Sequence, residues 1–272
     1  MFNSSNLKEY KKLYIENGFF IVKNGFSLNQ INCMRKRLDQ IIEGSITCKG
    51  RRFQEETATG RYEDVSKTIV GYKGGNTIYR KISDLEYDEI FLKSLQSSWI
   101  RTICNCFIGE TTSLMRVTMM NKPPFSGTEL PWHQDVSKYW PTLIQPKMAI
   151  WFSLDPLSKI SGSLQVIPSS HKHGVIKDGH MLDEEDTKKY APSKKILTIK
   201  INVRDVLFFD SKLLHRSGTN KTQSNRRAIN GIFLPGVVKH TISKLNYPVI
   251  FGENELNPSN VAKLKSIPNL NS

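Results

Sequence analysis

The first part of the chain has apolar residues at a helical period, interrupted by one short apolar run. NLKEYKKLYIENG predicts a helix that ends at Gly18, and FFIVK directly after it predicts a short strand. Ser27, with Gln30 three residues later, forms a capping-box pattern and predicts the start of a second helix, which Gly44 ends. The apolar side of this helix consists of Ile31, Met34, Leu38, Ile41 and Ile42.

From residue 45 onward the pattern first becomes irregular and then changes to short strands. Residues 45–77 are polar and Gly-rich, which is typical of a mobile loop or a lid, whereas residues 87–107 have the apolar stripe of another helix. After residue 113, short apolar segments alternate with turns, and residues 178–195 interrupt them as a surface excursion. Many strands without intervening helices favour a sandwich or a jelly roll. The predicted strands are SLMRVTMM, KMAIWFSL, SLQVIP, KILTIKI, DVLFFD and AINGIFL.

Composition restricts the class of protein. The 272 residues are 38% hydrophobic and 24% charged, which is typical of a globular protein. We expect neither a signal peptide nor a membrane span, because MFNSSNLKEYKKLY is polar and no apolar run approaches about 20 residues. The C-terminal IPNLNS is not a peroxisomal tripeptide, so we expect a cytoplasmic location, or an organelle reached by a signal that is not evident in the sequence. The four cysteines fit neither a disulfide framework nor paired zinc knuckles.

The net charge of +14 is spread along the whole chain. No single basic run marks a nucleic-acid tail, so we expect no specific nucleic-acid partner. A solvated basic surface is the simpler interpretation of this charge. A positive field also concentrates anionic ligands, so an anionic small-molecule substrate or a weak contact with a polyanion stays open, with a slight preference for an anionic substrate. The sequence does not determine the oligomeric state.

The candidate chemistry lies in PWHQDVSKYW, where His133 and Asp135 are two positions apart. In an extended strand both side chains face one side and Gln134 faces the other. By itself such a pair is a weak signal, because it also arises by chance. A second histidine, His215, follows the predicted strand DVLFFD. Two histidines and one carboxylate on one face of Fe(II) leave positions open for oxygen chemistry.

Arg226 follows His215 in the block HRSGTNKTQSNRRAING. A guanidinium binds a carboxylate through two parallel, charge-assisted hydrogen bonds, so an inward Arg226 is suited to hold a dicarboxylic cosubstrate. Arg227 competes for this role, but adjacent residues of a strand face opposite ways and only one can point inward.

With these residues in place, the chain resembles the phytanoyl-CoA dioxygenase family of iron(II)- and 2-oxoglutarate-dependent oxygenases. The matching blocks appear in family order over most of the chain, and they are more specific for cofactor chemistry than for substrate. They are ENGFFIVKN, IYRKISDL, MNKPPFSG, WHQD, AIWFSLD, GSLQVIPSSHKHG and DVLFFDSKLLHRSGTNKTQSNRRAI.

The resemblance implies roles for particular residues. His133, Asp135 and His215 would be the iron ligands, and Arg226 would pair with the C5 carboxylate of 2-oxoglutarate. Further cosubstrate contacts would come from Ser217, Trp151 and Lys81. The chain departs from the family at Ser169 and Arg204, where glycine is usual, which affects turn geometry more than chemistry.

Several of these residues have alternative explanations. Trp151 could simply fill the core, and Ser217 could be an ordinary turn hydroxyl. His171 and His173 are interpreted as turn residues. His180 and His240 lie in polar surroundings and are expected at the surface.

The resemblance implies a mainly β fold with flanking α-helices, in which a double-stranded β-helix (jelly roll, cupin-like) core follows N-terminal helices. We expect a single domain over 1–272, with a helical part at about 1–112, the core at about 113–240 and a C-terminal extension at 241–272. The implied function is a dioxygenase that uses Fe(II), 2-oxoglutarate and O2 to hydroxylate a C–H bond of a small, anionic or acyl-CoA-like substrate. Related halogenases have Ala or Gly in place of Asp135, so the carboxylate favours hydroxylation over halogenation, while desaturation or ring chemistry with the same oxidant stays open.

Two alternatives stay open at this point. One is a metal-binding cupin-type protein that does not use 2-oxoglutarate, and the other is a non-catalytic member of the family. The substrate, and the loop residues that select it, are not determined by the sequence.

Overall fold

A computed structural model describes residues 2–268, in which antiparallel strands form two sheets. The larger sheet runs in the order β1 (Phe19–Val22), β10 (Val206–Asp210), β7 (Met148–Ser153), β12 (Arg226–Pro235), β5 (Thr112–Lys122), β4 (Tyr79–Ile82), β2 (Arg52–Glu55) and β3 (Ile69–Val70), and β13 (Val249–Phe251) pairs with the start of β5. The smaller sheet runs in the order β6 (Leu130–His133), β11 (His215–Ser217), β8 (Leu164–Val166) and β9 (Leu197–Thr198).

The helices are α1 (Leu7–Asn17), α2 (Leu28–Glu43), α3 (Glu89–Leu95), α4 (Ser98–Phe107), α5 (Glu184–Tyr190) and α6 (Pro258–Val261). The predicted ends of the first two are confirmed. Gly18 closes α1 in the left-handed conformation with a φ of 85°, which glycine adopts without steric cost. Ser27 and Gln30 form the capping box of α2, and Gly44 ends this helix in the same way as Gly18 ends α1.

The two faces of the large sheet bury different sets of side chains. Phe208 of β10 and Phe152 of β7 face outward and pack with α1 to α4 in one core. Their neighbours Leu207 and Trp151 face inward and pack with residues of the small sheet in a second core. This alternation follows from the period of two along a strand. The space between the two sheets is therefore walled by inward-facing residues.

Two expectations about local structure were wrong. The segment 87–107 forms two helices rather than one, because Ser97 is extended and its hydroxyl donates to the carbonyl oxygen of Ser94. The segment 45–77 contains β2 and β3, which extend the large sheet, so it is not simply a loop. The excursion 178–195 carries the short helix α5.

The expected N-terminal part, 1–112, includes β1 to β4 as well as α1 to α4. Met1 and the last four residues of the expected C-terminal extension lie outside the described residues, as does most of the IPNLNS segment. Within 2–268, no helix is both long enough and apolar enough to cross a bilayer.

Candidate functional site

The small sheet brings two of the predicted ligands together. His133 ends β6 and is directly paired with His215, the first residue of β11. Each imidazole Nδ1 lies near the carbonyl oxygen two residues earlier, 2.8 Å from Pro131 and 2.9 Å from Leu213. A carbonyl oxygen can only accept, so Nδ1 carries the proton in both rings and Nε2 has a lone pair for a metal.

Asp135 lies just beyond the end of β6, in a bend rather than in the strand itself. Its carboxylate nevertheless faces the histidines, with Oδ2 3.7 Å from Nε2 of His215. Oδ2 is buried and has no hydrogen-bond partner within the described chain. An orphaned buried carboxylate oxygen is costly unless a cation binds it.

Gln134 points away from this cluster, as expected from alternation. Its side-chain amide donates to the carbonyl oxygens of Gly174 (2.9 Å) and Lys212 (2.6 Å) and accepts from the backbone N–H of Ile176 (2.9 Å). The Gln134 side chain therefore fixes the turn that carries Asp135.

The three side chains form a donor set that fits iron(II). One ligand atom from each of His133, Asp135 and His215 lies within 4.8 Å of the others, and all three residues are buried. Burial, together with the neighbouring rings of His215 and His180, holds the pKa of His133 well below its usual range. This imidazole is therefore neutral at physiological pH, as a metal ligand must be. Two neutral imidazoles and a carboxylate form the donor set of the facial triad of non-haem iron oxygenases.

The cluster opens into a cavity of about 520 Å³ between the sheets, and Arg226 lines the same cavity. The guanidinium is 3% exposed, and its Nε is buried without a protein partner within residues 2–268. Its Nη2 donates to the carbonyl oxygen of Gly162 at 2.9 Å. Gly162 has a φ of 74°, and a Cβ there would lie 2.7 Å from the carbonyl oxygen of Gly218, so other residues would be strained.

The electrostatics of Arg226 suit it to an anion. Burial lowers its pKa to about 10, with Asp155 opposing and Arg80 adding to the shift, so the side chain stays cationic at neutral pH. Arg227 points the other way and makes a two-pronged contact with Asp155, at 2.9 and 2.8 Å. Of the two adjacent arginines, only Arg226 therefore reaches the cavity.

The other predicted cosubstrate residues also line the cavity. Ser217 ends β11, two residues past His215. Trp151 lies on β7 in register with Asn230 of β12, and it belongs to the inner core as well, so filling the core and lining the cavity are compatible. Lys81 lies on β4 in register with Met120. Burial and the charges of Arg80 and Arg116 lower the pKa of the Lys81 amine to about 7, and Asp135 opposes this shift.

The sequence assigned no role in the site to several residues of the cavity wall, among them Arg116, Lys122 and His180. Arg116 and Lys122 lie on β5, whose alternation places them on one face with Thr118 and Met120, but alternation alone does not show which face lies inward. The expectation that His180 is a surface residue was wrong. Its ring contacts that of His133, with centroids 4.8 Å apart, and burial lowers its pKa to about 4.

The remaining histidines lie outside the cavity. His240 was also expected at the surface but is 2% exposed, and its Nδ1 accepts a hydrogen bond from the backbone N–H of Ser243 (3.2 Å). His171 and His173 lie in a single turn of 3-10 helix, which confirms their interpretation as turn residues.

Comparison with known proteins identifies the family and the fold. A sequence model of the family described as Phytanoyl-CoA dioxygenase (PhyH) matches residues 14–228. Over 240 residues the chain is 27% identical to the peroxisomal phytanoyl-CoA dioxygenase of Rattus norvegicus. This match covers 82% of the chain and 66% of the rat protein, so the chain spans about two thirds of the length of that relative.

Two solved structures have a similar fold. EvdO2 from Micromonospora carbonacea var. aurantiaca, complexed with 2-oxoglutarate, has a TM-score of 0.59 and 19% identity, with 95% of this chain and 96% of that one covered. EctD from S. alaskensis with bound Fe has a TM-score of 0.64 and 16% identity, covering 86% of this chain and 77% of that one. At these identities the likeness concerns the fold, and it confirms the predicted cupin-like core.

Proposed function

Because the chain belongs to the phytanoyl-CoA dioxygenase family, we propose that it is an iron(II)- and 2-oxoglutarate-dependent dioxygenase. In the proposed reaction, O2 and 2-oxoglutarate are consumed, succinate and CO2 are released, and an unactivated C–H bond of a small molecule is hydroxylated. One observation carries the proposal: three convergent ligand atoms within 4.8 Å share a cavity with the buried guanidinium of Arg226.

In this proposal His133, Asp135 and His215 hold the metal. Bound iron(II) would supply the oxidative chemistry with O2 and 2-oxoglutarate, while the protein supplies binding, orientation and exclusion of water. The carbonyl oxygens of Pro131 and Leu213 keep the Nδ1 protons in place, so each ring presents Nε2 without a change of tautomer. Asp135 provides the carboxylate, and its unpaired Oδ2 is the atom that gains most from a cation.

Arg226 would anchor the far carboxylate of 2-oxoglutarate. Its Nη2 donates to the carbonyl oxygen of Gly162, and its buried Nε has no protein partner in the described chain. A carboxylate oxygen would accept the hydrogen bond from this Nε. Ser217 would donate its hydroxyl to the same carboxylate, and Trp151 would cover the cosubstrate. Lys81 would add a cation, since binding of a dianion raises the pKa of a nearby amine and favours its charged form.

Asp135 also bears on the outcome of the reaction. A protein carboxylate occupies the coordination position that halogenases of related sequence leave for chloride. Hydroxylation is therefore favoured over halogenation. The proposal treats 1–272 as a single dioxygenase domain, with its helical part at about 1–112, its core at about 113–240 and its extension at 241–272.

Anaerobic titration of the purified protein with Fe(II) and 2-oxoglutarate tests the proposal. We expect the weak near-visible charge-transfer band of the Fe(II)–2-oxoglutarate chelate, and its loss in the His215→Ala variant. Under air, succinate release is then screened across acyl-CoA thioesters, amino acids and phosphonates, with oxidised product identified by mass spectrometry.

The two alternatives give different results in the same titration. A cupin-type protein that does not use 2-oxoglutarate would bind the metal but would not develop the band. A non-catalytic family member would develop the band and release no succinate with any substrate class. Substrate-dependent succinate production by His215→Ala at the wild-type rate would contradict the proposed metal site.

A further inference from the structure

The cavity has a second cationic region, far along the strands from Arg226. Arg226 on β12 is in register with Lys122 on β5, whereas Arg116 on β5 is in register with Ile232 on β12. Arg116 and Lys122 line the same cavity, and six residues of extended strand correspond to roughly 20 Å. The backbones of Arg226 and Arg116 therefore lie near opposite ends of the paired strands β12 and β5. This backbone separation exceeds the length of a five-carbon cosubstrate anchored at Arg226, and the Arg116 side chain extends from its end of the strands toward Asp135.

Arg116 is held in orientation without being closely neutralised. Its guanidinium lies over the ring of Trp140, 4.9 Å from the centroid, and this stacking fixes the plane of the fork. The ion pair with Asp135 is long, 3.8 Å between Nη2 and Oδ1, and Asp135 is the proposed metal ligand. The Arg116 side chain is 33% exposed, so a ligand can reach it.

The other cationic side chains of the cavity wall already have hydrogen-bond partners or are assigned to the cosubstrate. Arg52 makes hydrogen bonds to the carboxylate of Asp84, and Lys122 donates to the carbonyl oxygen of Thr128. Arg80 donates to the side-chain oxygen of Gln54 at 2.7 Å. Arg226 and Lys81 are assigned to the cosubstrate.

Charge balance in the cavity favours one more anion. Among the described residues, four arginines and two lysines line the cavity, and Asp135 is the one carboxylate among them. Burial lowers the pKa of both lysines, that of Lys81 to about 7, so the positive excess comes mainly from the arginines. Iron(II) and the 2-oxoglutarate dianion cancel each other, so binding both leaves the positive excess unchanged. A positively lined cavity with low-dielectric walls concentrates anions.

We propose that the Arg116 end of the cavity binds the anionic group of the substrate, a carboxylate or a phosphate. The planar guanidinium offers both groups a two-pronged, charge-assisted contact. Trp140 and His180, whose rings have centroids 5.4 Å apart, flank this end and would pack against the body of the substrate. The inference rests on the proposed function, because a substrate must lie beside the iron that oxidises it.

Calorimetric titration under anaerobic conditions tests the inference with probes of matched size. The protein is loaded with Fe(II) and saturating 2-oxoglutarate at about 0.15 M salt, which screens exposed charges. The probes are pentanoate, butyl phosphate and the neutral pentanamide. Arg116→Gln removes the charge, and Arg116→Lys keeps the charge without the planar fork. Arg101→Gln is the matched control, because Arg101 also stacks on an aromatic ring, that of Phe251, and pairs with a carboxylate, that of Glu255, outside the cavity.

We expect the wild-type protein and Arg101→Gln to bind at least one anion about tenfold or more tightly than pentanamide, and Arg116→Gln to lose this preference. Arg116→Lys should keep only part of it. A tighter complex with butyl phosphate than with pentanoate would identify a phosphate-bearing substrate, and the reverse order would identify a carboxylic acid. Equal binding of all three probes by the wild type, or an anion preference that survives in Arg116→Gln, would overturn the inference.

The 2-oxoglutarate titration separates this inference from the proposed function. Arg116→Gln should still bind Fe(II) and 2-oxoglutarate and develop the charge-transfer band, since the iron ligands and Arg226 are unchanged. If the wild type binds no 2-oxoglutarate, the proposed function fails. The probe series is then measured without cosubstrate, where loss of anion preference in Arg116→Gln would still assign the anion site to this arginine.

Discussion

His133 and His215 face each other across β6 and β11, and their ring centroids are 4.0 Å apart. Each ring is held by the carbonyl oxygen of the residue two positions earlier. The same type of local hydrogen bond thus orients both imidazoles, although their strands are distant in sequence. A metal bound by both would connect the two strands.

Metal binding should therefore stabilise the folded protein. At a metal concentration about 100 times the Kd, we expect about 2.7 kcal/mol of stabilisation, or a rise in Tm of about 5–10 °C. His133→Ala and His215→Ala should lose this rise, while His173→Ala, which removes an exposed histidine, should keep it. Thermal unfolding monitored by circular dichroism with and without Mn(II), in place of the oxidisable Fe(II), measures the shift. An equal rise in all four proteins would place the metal elsewhere.

The adjacent arginines should respond oppositely to the same substitution. Arg226→Lys should raise the Kd for 2-oxoglutarate by about tenfold or more, because lysine lacks the planar fork that holds a carboxylate. Arg227→Lys should leave this Kd unchanged but lower the free energy of unfolding by about 1 kcal/mol, since it loses the two-pronged contact with Asp155. Calorimetry and urea denaturation measure the two quantities. A change in 2-oxoglutarate affinity in both variants would show that the effect is not local to the cavity.

Lys81 should give the metal-free protein a distinct pH dependence. Its pKa is lowered to about 7 in the folded state, so above this pH the unfolded chain holds a proton that the folded protein has released. Stability should therefore rise with pH from about 7 toward 10, by at most about 1.4 kcal/mol per unit from this group. The Lys81→Met variant has no titrating side chain at this position. Its free energy of unfolding should therefore exceed that of the wild type most near pH 6, and the difference should shrink as the pH rises. Urea unfolding in the presence of a chelator measures the difference, and a difference that is constant with pH would contradict the prediction.

Arg204 adopts a backbone conformation that favours glycine, with a φ of 85°. Arg204→Gly and Arg204→Ala both lose the hydrogen bond from Nε to the carbonyl oxygen of Phe26. Only the glycine variant is free of the steric cost of a left-handed φ, so it should be more stable than the alanine variant by about 1 kcal/mol. At exposed Lys36 within α2, the order should be reversed, with alanine more stable than glycine by about 1 kcal/mol. Melting temperatures of the four variants check both orders.

Much of the fold follows from local patterns. The ends of α1 and α2 depend on glycines and on one capping box, and these act within a few residues. Strands β5, β7, β8, β10 and β12 were predicted because each is a short apolar segment between turns. The strands that carry His133, His215 and Lys81, which are β6, β11 and β4, were not predicted as strands. The resemblance implied that glycine is usual at the positions of Ser169 and Arg204, and both residues have positive φ, at 68° and 85°. The family pattern therefore identified two turns whose geometry the sequence of this chain alone conceals.

The rest depended on contacts that are distant in sequence. Residues 52–55 and 69–70 lie at the edge of the large sheet, beyond β4, where polar side chains leave no apolar alternation to read. His180 reaches the cavity from the excursion because Met181 forms a bridge with His133, a contact that no periodicity indicates. Arg116 was visible as a charged residue of β5, but a charge in a strand normally faces solvent. Its inward position depends on which face of β5 the small sheet covers.

The side chain of Gln134 binds the backbone at 174 and 176, just before the excursion, and so joins this surface segment to the turn carrying Asp135. The two anchor points are peptide groups, so they make no demand on the identity of the side chains around them. The excursion itself also contacts the reactive centre, through the His180 ring and the Met181 bridge to His133. A change of length or sequence in 178–195 would consequently alter the surroundings of an iron ligand together with the cavity wall, so selectivity and reactivity are coupled through this surface segment.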